Sequence, residues 1–197
     1  INGIKVGSNT LGSFQNNSIC LGLDTNGSSM NYGAEINGIA YLLGSEECNF
    51  YHNSIYIGGK ALHGYENSYA FNSTVTNQTR NIINNIFFNE RTNYGSTGKH
   101  YAIRLGGSTP NPAGLNIDNN VYFALGADGV LGNYNYSDVT NLQNWQMLVG
   151  QDSNSFSADP NFVNPDGDVS TIDLHINPVF PSVINGNGAY IPTVTDD

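Results

Sequence analysis

Charge is what this sequence has least of. Only 11% of its 197 residues are charged, against a usual share of about 25%. A solvent-facing helical bundle needs stripes of Lys and Glu, so that class is excluded. Positive charge is scarcest: six Lys and Arg stand against sixteen Asp and Glu, for a net charge of −10. Six cations build no basic stripe, which argues against nucleic acid and against an anionic membrane surface as partners. No apolar run approaches the roughly 20 residues of a membrane span, so no membrane insertion is expected. Cysteine is nearly absent: Cys20 and Cys48 make neither a disulfide framework nor a zinc pattern. No signal peptide opens the chain. It starts abruptly on INGIKVG, as if inside a repeat. The expectation is a mature piece of a longer protein, with further coils of the parent chain as one partner.

Polarity comes instead from Asn, Ser, Thr and 23 glycines, beside a hydrophobic share of 39%. Asn and Gly supply turns and tolerate positive φ, which points to an all-β chain. One short phrase recurs four times: NSICL (17–21), NSIYI (53–57), NNIFF (84–88) and NNVYF (119–123). Aligned on Ile19, Ile55, Ile86 and Val121, every copy has asparagine two residues earlier: Asn17, Asn53, Asn84 and Asn119. Two residues later stand Leu21, Ile57, Phe88 and Phe123. This period of two is a strand. A second phrase precedes it: INGIKVG (1–7), INGIAYLLG (36–44), NSYAFNS (67–73) and KHYAIRLGG (99–107). Each unit therefore has at least two strands joined by variable Gly/Asn/Ser-rich loops. A propeller blade needs four strands, and a leucine-rich repeat is shorter with its own Leu–Asn spacing. Stacked coils of a parallel β-helix fit. Identical positions then touch at about 4.8 Å. Asn17, Asn53, Asn84 and Asn119 are expected to form one inward ladder, each amide bonding to the next.

These N-[SN]-[IV]-[YF] coils resemble the right-handed parallel β-helix repeat proteins exported by bacteria. The tail resembles the C-terminal closing segment of one such secreted group. LQNWQMLVGQDSNSFSADPNFVNP (142–165), IDLHI (172–176) and YIPTVTDD (190–197) carry that likeness. The resemblance implies an all-β solenoid with one short helix near the C-terminus, of coils over 1–136 and a closing segment over 137–197. It also implies a secreted or cell-surface location, with export of the type IX kind. It says little of activity, because one fold hosts many functions.

Within the tail, SDVTNLQNWQMLVG reads as the helix, capped by Asp138 or Thr140 and ended by Gly150. Trp145 either packs on the coils or stacks a sugar. SADPNFVNP reads as an extended segment laid along the coils, with Phe162 as a plug.

The residues that follow the anchors are Cys20, Tyr56, Phe87 and Tyr122. Tyr56, Phe87 and Tyr122 then form an outward column of rings: either a platform for glycan, or a face covered by a loop or the tail. The lyases of this fold use calcium-binding carboxylates beside an Arg or Lys base, and glycoside hydrolases need paired carboxylates. The acids here are scattered, and Arg80 and Arg104 fall at different register positions, so no catalytic residue is assigned. Asp166, Asp168 and Asp173 alternate around Gly167 and form a calcium candidate, or else a polar turn. His52, His63, His100 and His175 are too dispersed for a metal site. The function expected is a non-catalytic extracellular β-helix: a surface stalk, an adhesin or a glycan-binding module. Its partner would be a polysaccharide or cell-surface glycan. The alternative is a fragment of a polysaccharide lyase-like or glycoside hydrolase-like β-helix enzyme. The register also predicts two free, partly buried thiols.

Overall fold

The computed structural model describes residues 1–44, 46–95 and 97–194; the closing TDD motif lies outside the described residues. The chain winds as a parallel β-helix with three strands per coil. The first coil is β1 (Asn2–Val6), β2 (Gly12–Gln15) and β3 (Ser18–Leu21). The second is β4 (Ile36–Tyr41), β5 (Cys48–Tyr51) and β6 (Ser54–Ile57), followed by the short β7 (Lys60–Ala61). The third is β8 (Ser68–Ser73), β9 (Arg80–Ile83) and β10 (Ile86–Asn89), followed by β11 (Thr92–Asn93). The fourth is β12 (His100–Leu105), β13 (Leu115–Asp118) and β14 (Val121–Ala124). A last strand, β15 (Gly129–Tyr134), turns back into the antiparallel β16 (Ser137–Val139). The helix α1 (Leu142–Val149) and the antiparallel pair β17 (Phe162–Asn164) and β18 (Asp173–Ile176) complete the chain.

The core is a set of columns. Ile39, Phe71 and Ile103 stack from the first sheet, Phe50, Ile82 and Ile117 from the second, and Ile55, Phe87 and Tyr122 from the third. All nine are buried, and each apolar side chain so removed from water contributes about 1.5–3 kcal/mol.

A two-residue corner joins the second sheet to the third in every coil. Its first residue is Asn16, His52, Asn84 or Asn119, each left-handed with φ between 52° and 61°. Asparagine tolerates that region better than most residues. Its second residue points inward and forms the ladder. Asn17 Nδ2 donates to Asn53 Oδ1 at 2.8 Å, Asn53 to Asn85 at 2.8 Å and Asn85 to Asn120 at 3.0 Å. The amides of Asn53, Asn85 and Asn120 also donate to backbone carbonyls, as Asn85 Nδ2 does to Phe50 O at 2.9 Å. The ladder steps span 36, 32 and 35 residues. A fourth step of 35 residues reaches Ser155, whose Oγ accepts from the Asn120 backbone N–H at 2.7 Å.

The sequence-based ladder is therefore corrected. Asn17 and Asn53 belong to it, but Asn84 and Asn119 do not; Asn85 and Asn120 take their places. The pairing of β6 with β10 sets Ser54 opposite Ile86 and Ile55 opposite Phe87, one residue off the anchor alignment. Asn84 and Asn119 instead reach outward to the tail. Asn84 Nδ2 donates to Ala189 O at 2.7 Å, and Asn119 Nδ2 to Asn187 O at 2.9 Å.

The last coil is closed by α1. Its N-cap is Asn141, whose Oδ1 accepts from the Asn144 N–H at 2.9 Å, rather than Asp138 or Thr140. Gly150 ends it at φ 76°. Trp145 lies over Gly132, where an added Cβ would stand 2.6 Å from the indole, so only glycine lets helix and sheet approach so closely. Cys20 and Cys48 sit on different sheets as free thiols. Burial pushes both upward, Cys20 to about 11.

Candidate functional site

The shift of one residue changes what the aromatic column is. Phe87 and Tyr122 point into the core beside Ile55. The outer column is Cys20, Tyr56, Phe88 and Phe123. It is not a platform, because the tail covers it: Phe156, Phe162, Leu174, Ile176, Val183 and Ile184 pack there. Phe162 lies 6.2 Å from the Phe88 ring, in the plugging position that its sequence suggests. Tyr56, Phe87 and Tyr122 are each 0% exposed, and no sugar ring can stack on them.

Tyr56 clasps the tail. Its hydroxyl lies within hydrogen-bond reach of Glu90 Oε1 on the coil and Asp166 Oδ1 on the tail. Burial, opposed by the Tyr56 hydrogen bond and reinforced by the nearby Asp166 and Asp159 carboxylates, holds the Glu90 carboxyl above its usual range. Cys20 Sγ is 3.8 Å from Pro165 O, directly beside this clasp.

The three aspartates proposed for calcium are not brought together. Asp166 faces Tyr56. Asp168 Oδ1 accepts from Ser170 N at 2.9 Å, Ser170 Oγ at 2.7 Å and Thr171 Oγ1 at 2.9 Å, which closes a local turn. Asp173 Oδ1 accepts from the His175 N–H at 2.8 Å and contacts its ring. Among the described residues no group of three His, Cys, Asp or Glu is arranged to hold a metal ion.

Asp152 is structural too. Trp145 Nε1 and Tyr122 Oη donate to its Oδ2 at 2.7 and 2.6 Å, and Ser155 Oγ bonds its other oxygen. This fixes Trp145, fully buried, as the lid of the stack rather than a sugar platform. Arg80 and Arg91 are buried as well and donate to backbone carbonyls, among them Val75 O and Met30 O.

A different place joins a surface cavity to an arginine held between two rings. Where the chain leaves the first sheet, a surface cavity of about 270 Å³ is lined by Thr74, Thr76, Arg104, Ser108, Asn135 and Tyr136, among others. Arg104 lies on the outer face of β12 between two rings, 5.5 Å from the centre of Tyr69 and 5.4 Å from that of Tyr136. Tyr69 is itself stacked on Tyr101, with centroids 5.1 Å apart at 5°. Among the described residues no carboxylate lies within ion-pair distance of Arg104. Its guanidinium keeps N–H donors for a ligand.

Tyr136 forms the tip of the β15–β16 hairpin. Tyr134 pairs with Ser137, and the two residues between them, Asn135 and Tyr136, have φ 49° and 64°. Such a turn favours Asn-Gly. A tyrosine in the glycine position costs about 1 kcal/mol or more, yet the ring is 82% exposed. The loop opposite is pinned by Tyr134, whose hydroxyl donates to Thr109 O at 2.6 Å. Sequence reading missed this site. Its one signal was Asn-Tyr standing between strand residues where Asn-Gly belongs.

A second cavity of about 260 Å³ lies where the tail crosses the corner residues, lined by Asn84, Asn119, Phe156, Val183, Ile184 and Gly188. It is a seam between coil and tail. No family model matches this chain, nor does any curated protein or solved structure.

Proposed function

We propose that the chain is a non-catalytic, extracellular glycan-binding module of a bacterial β-helix protein, secreted or held at the cell surface. The observation that carries this reading is the Arg104–Tyr136 cavity. It offers an exposed ring for the apolar face of a pyranose and free guanidinium donors for its hydroxyls. Among the described residues no Asp or Glu lines it, whereas glycoside hydrolysis requires paired carboxylates. The likeness of the repeats to exported β-helix proteins supports the location. Glu90, Asp138, Asp152 and Asp166 each accept from a structural tyrosine, which counts against the lyase-like or hydrolase-like alternative at those four acids.

The test is a glycan array run beside product analysis of the same polysaccharides, including release of unsaturated uronates. Binding with intact polysaccharide is expected. Product formation that scales with protein concentration contradicts the proposal.

A further inference from the structure

The Arg104–Tyr136 cavity has a definite ligand preference, and the inference rests on the glycan-binding reading above. We infer that the cavity takes one pyranose unit of a neutral polysaccharide, and that the exposed tip residue Tyr136 is kept in its disfavoured backbone conformation for that contact.

The neutral class follows from charge. The chain carries sixteen acids against six bases. Among the described residues Arg104 is the only cation that lines the cavity. An acidic polysaccharide repeats its charge along the chain. One carboxylate meets Arg104 while the others meet a protein of net charge −10, and that long-range repulsion works against binding. A neutral chain meets no such field. Its hydroxyls accept from the guanidinium, and the threonine and serine hydroxyls around the rim serve as further partners. The volume suits one ring, since pockets for larger ligands begin at about 300 Å³.

The role of Tyr136 follows from backbone and exposure together. A bulky residue at φ 64° is an outlier. Core packing does not demand it, because Tyr136 is 82% exposed and Arg104 packs on its ring. Strain of this kind collects at ligand clamps. The other face of the ring is open for a sugar. Arg104, held between Tyr69 and Tyr136, is aligned before any ligand arrives.

The experiment uses the chain as it stands, titrated with matched neutral and uronate-containing oligosaccharides from the array. The variants are Tyr136→Gly and Arg104→Gln. Wild type is expected to bind the neutral set, with little dependence on salt. Tyr136→Gly relieves the turn, so its melting temperature rises by about 2–4 °C, while affinity falls about tenfold or more. Arg104→Gln loses affinity without unfolding. Unchanged binding by both variants overturns the site and leaves the module reading intact. A preference for the uronate set overturns the ligand class. Failure of wild type to bind any glycan overturns the reading on which the inference rests.

Discussion

Trp145 and Tyr122 donate to the same oxygen of Asp152, at 2.7 and 2.6 Å. One buried carboxylate thus ties the closing helix to the inward column of the last full coil. Removing it strands two buried donors, which costs about 1–3 kcal/mol each. Asp152→Ala is expected to lower stability by roughly 3 kcal/mol. Asp152→Asn keeps an acceptor and loses less. Urea denaturation of the two variants checks the order.

The clasp at Tyr56 makes the tail sensitive to pH. One hydroxyl proton serves two carboxylates, Glu90 and Asp166. Cys20 stands beside them, Asp159 adds negative charge near Glu90, and Lys60 lines the same hollow without pairing with either acid. The Glu90 carboxyl is raised in the folded protein. Its contribution is therefore fully present below its ordinary value of 4.5 and is lost as pH rises through the raised value. Cys20 reports this locally. Its reaction with a disulfide reagent, relative to the unfolded chain, is expected to become less protected as pH rises. Asp166→Asn is expected to flatten that dependence. Equal profiles for the two proteins contradict the clasp.

His100 acts with the opposite sign. It is fully buried, its Nδ1 is 2.8 Å from Ser68 Oγ, and burial, aided by Arg91 and opposed by Asp128, lowers it to about 4. A base depressed in the folded state contributes stability above its unfolded value of 6.5. That contribution is lost as pH falls toward 4. The loss amounts to up to about 3 kcal/mol. His100→Gln is expected to remove this part of the acid sensitivity, measured as unfolding free energy at pH 7 and pH 4.5.

The strands, the coil repeat and the existence of an asparagine ladder were legible because inward positions alternate with period two. The register between the second and third coils was not. Ile86 and Val121 face outward yet are apolar, because the tail covers them. The matching positions in the first two coils are Ser18 and Ser54, which are more exposed. An alignment on apolar anchors therefore read the outward Ile86 as an inward residue. The Asn-Asn pairs hid the error, since either asparagine satisfied the pattern. The clasp at Tyr56 and the Arg104 cavity join residues far apart in sequence, through loops with no period. Only the misplaced tyrosine in the Asn135–Tyr136 turn left a local trace.

The coil register decides which rings are core and which face the tail, and two substitutions test it most directly. Asn85 is fully buried, donates to Asn120 and Phe50 O, and accepts from Asn53. Asn84 is its left-handed neighbour at φ 61°, where glycine is well accommodated. Denaturation of Asn85→Ala and Asn84→Gly side by side is the measurement. The register predicts a loss of roughly 3 kcal/mol for Asn85→Ala and a change within about 1 kcal/mol for Asn84→Gly. The reverse order, with Asn84→Gly the more damaging, contradicts it.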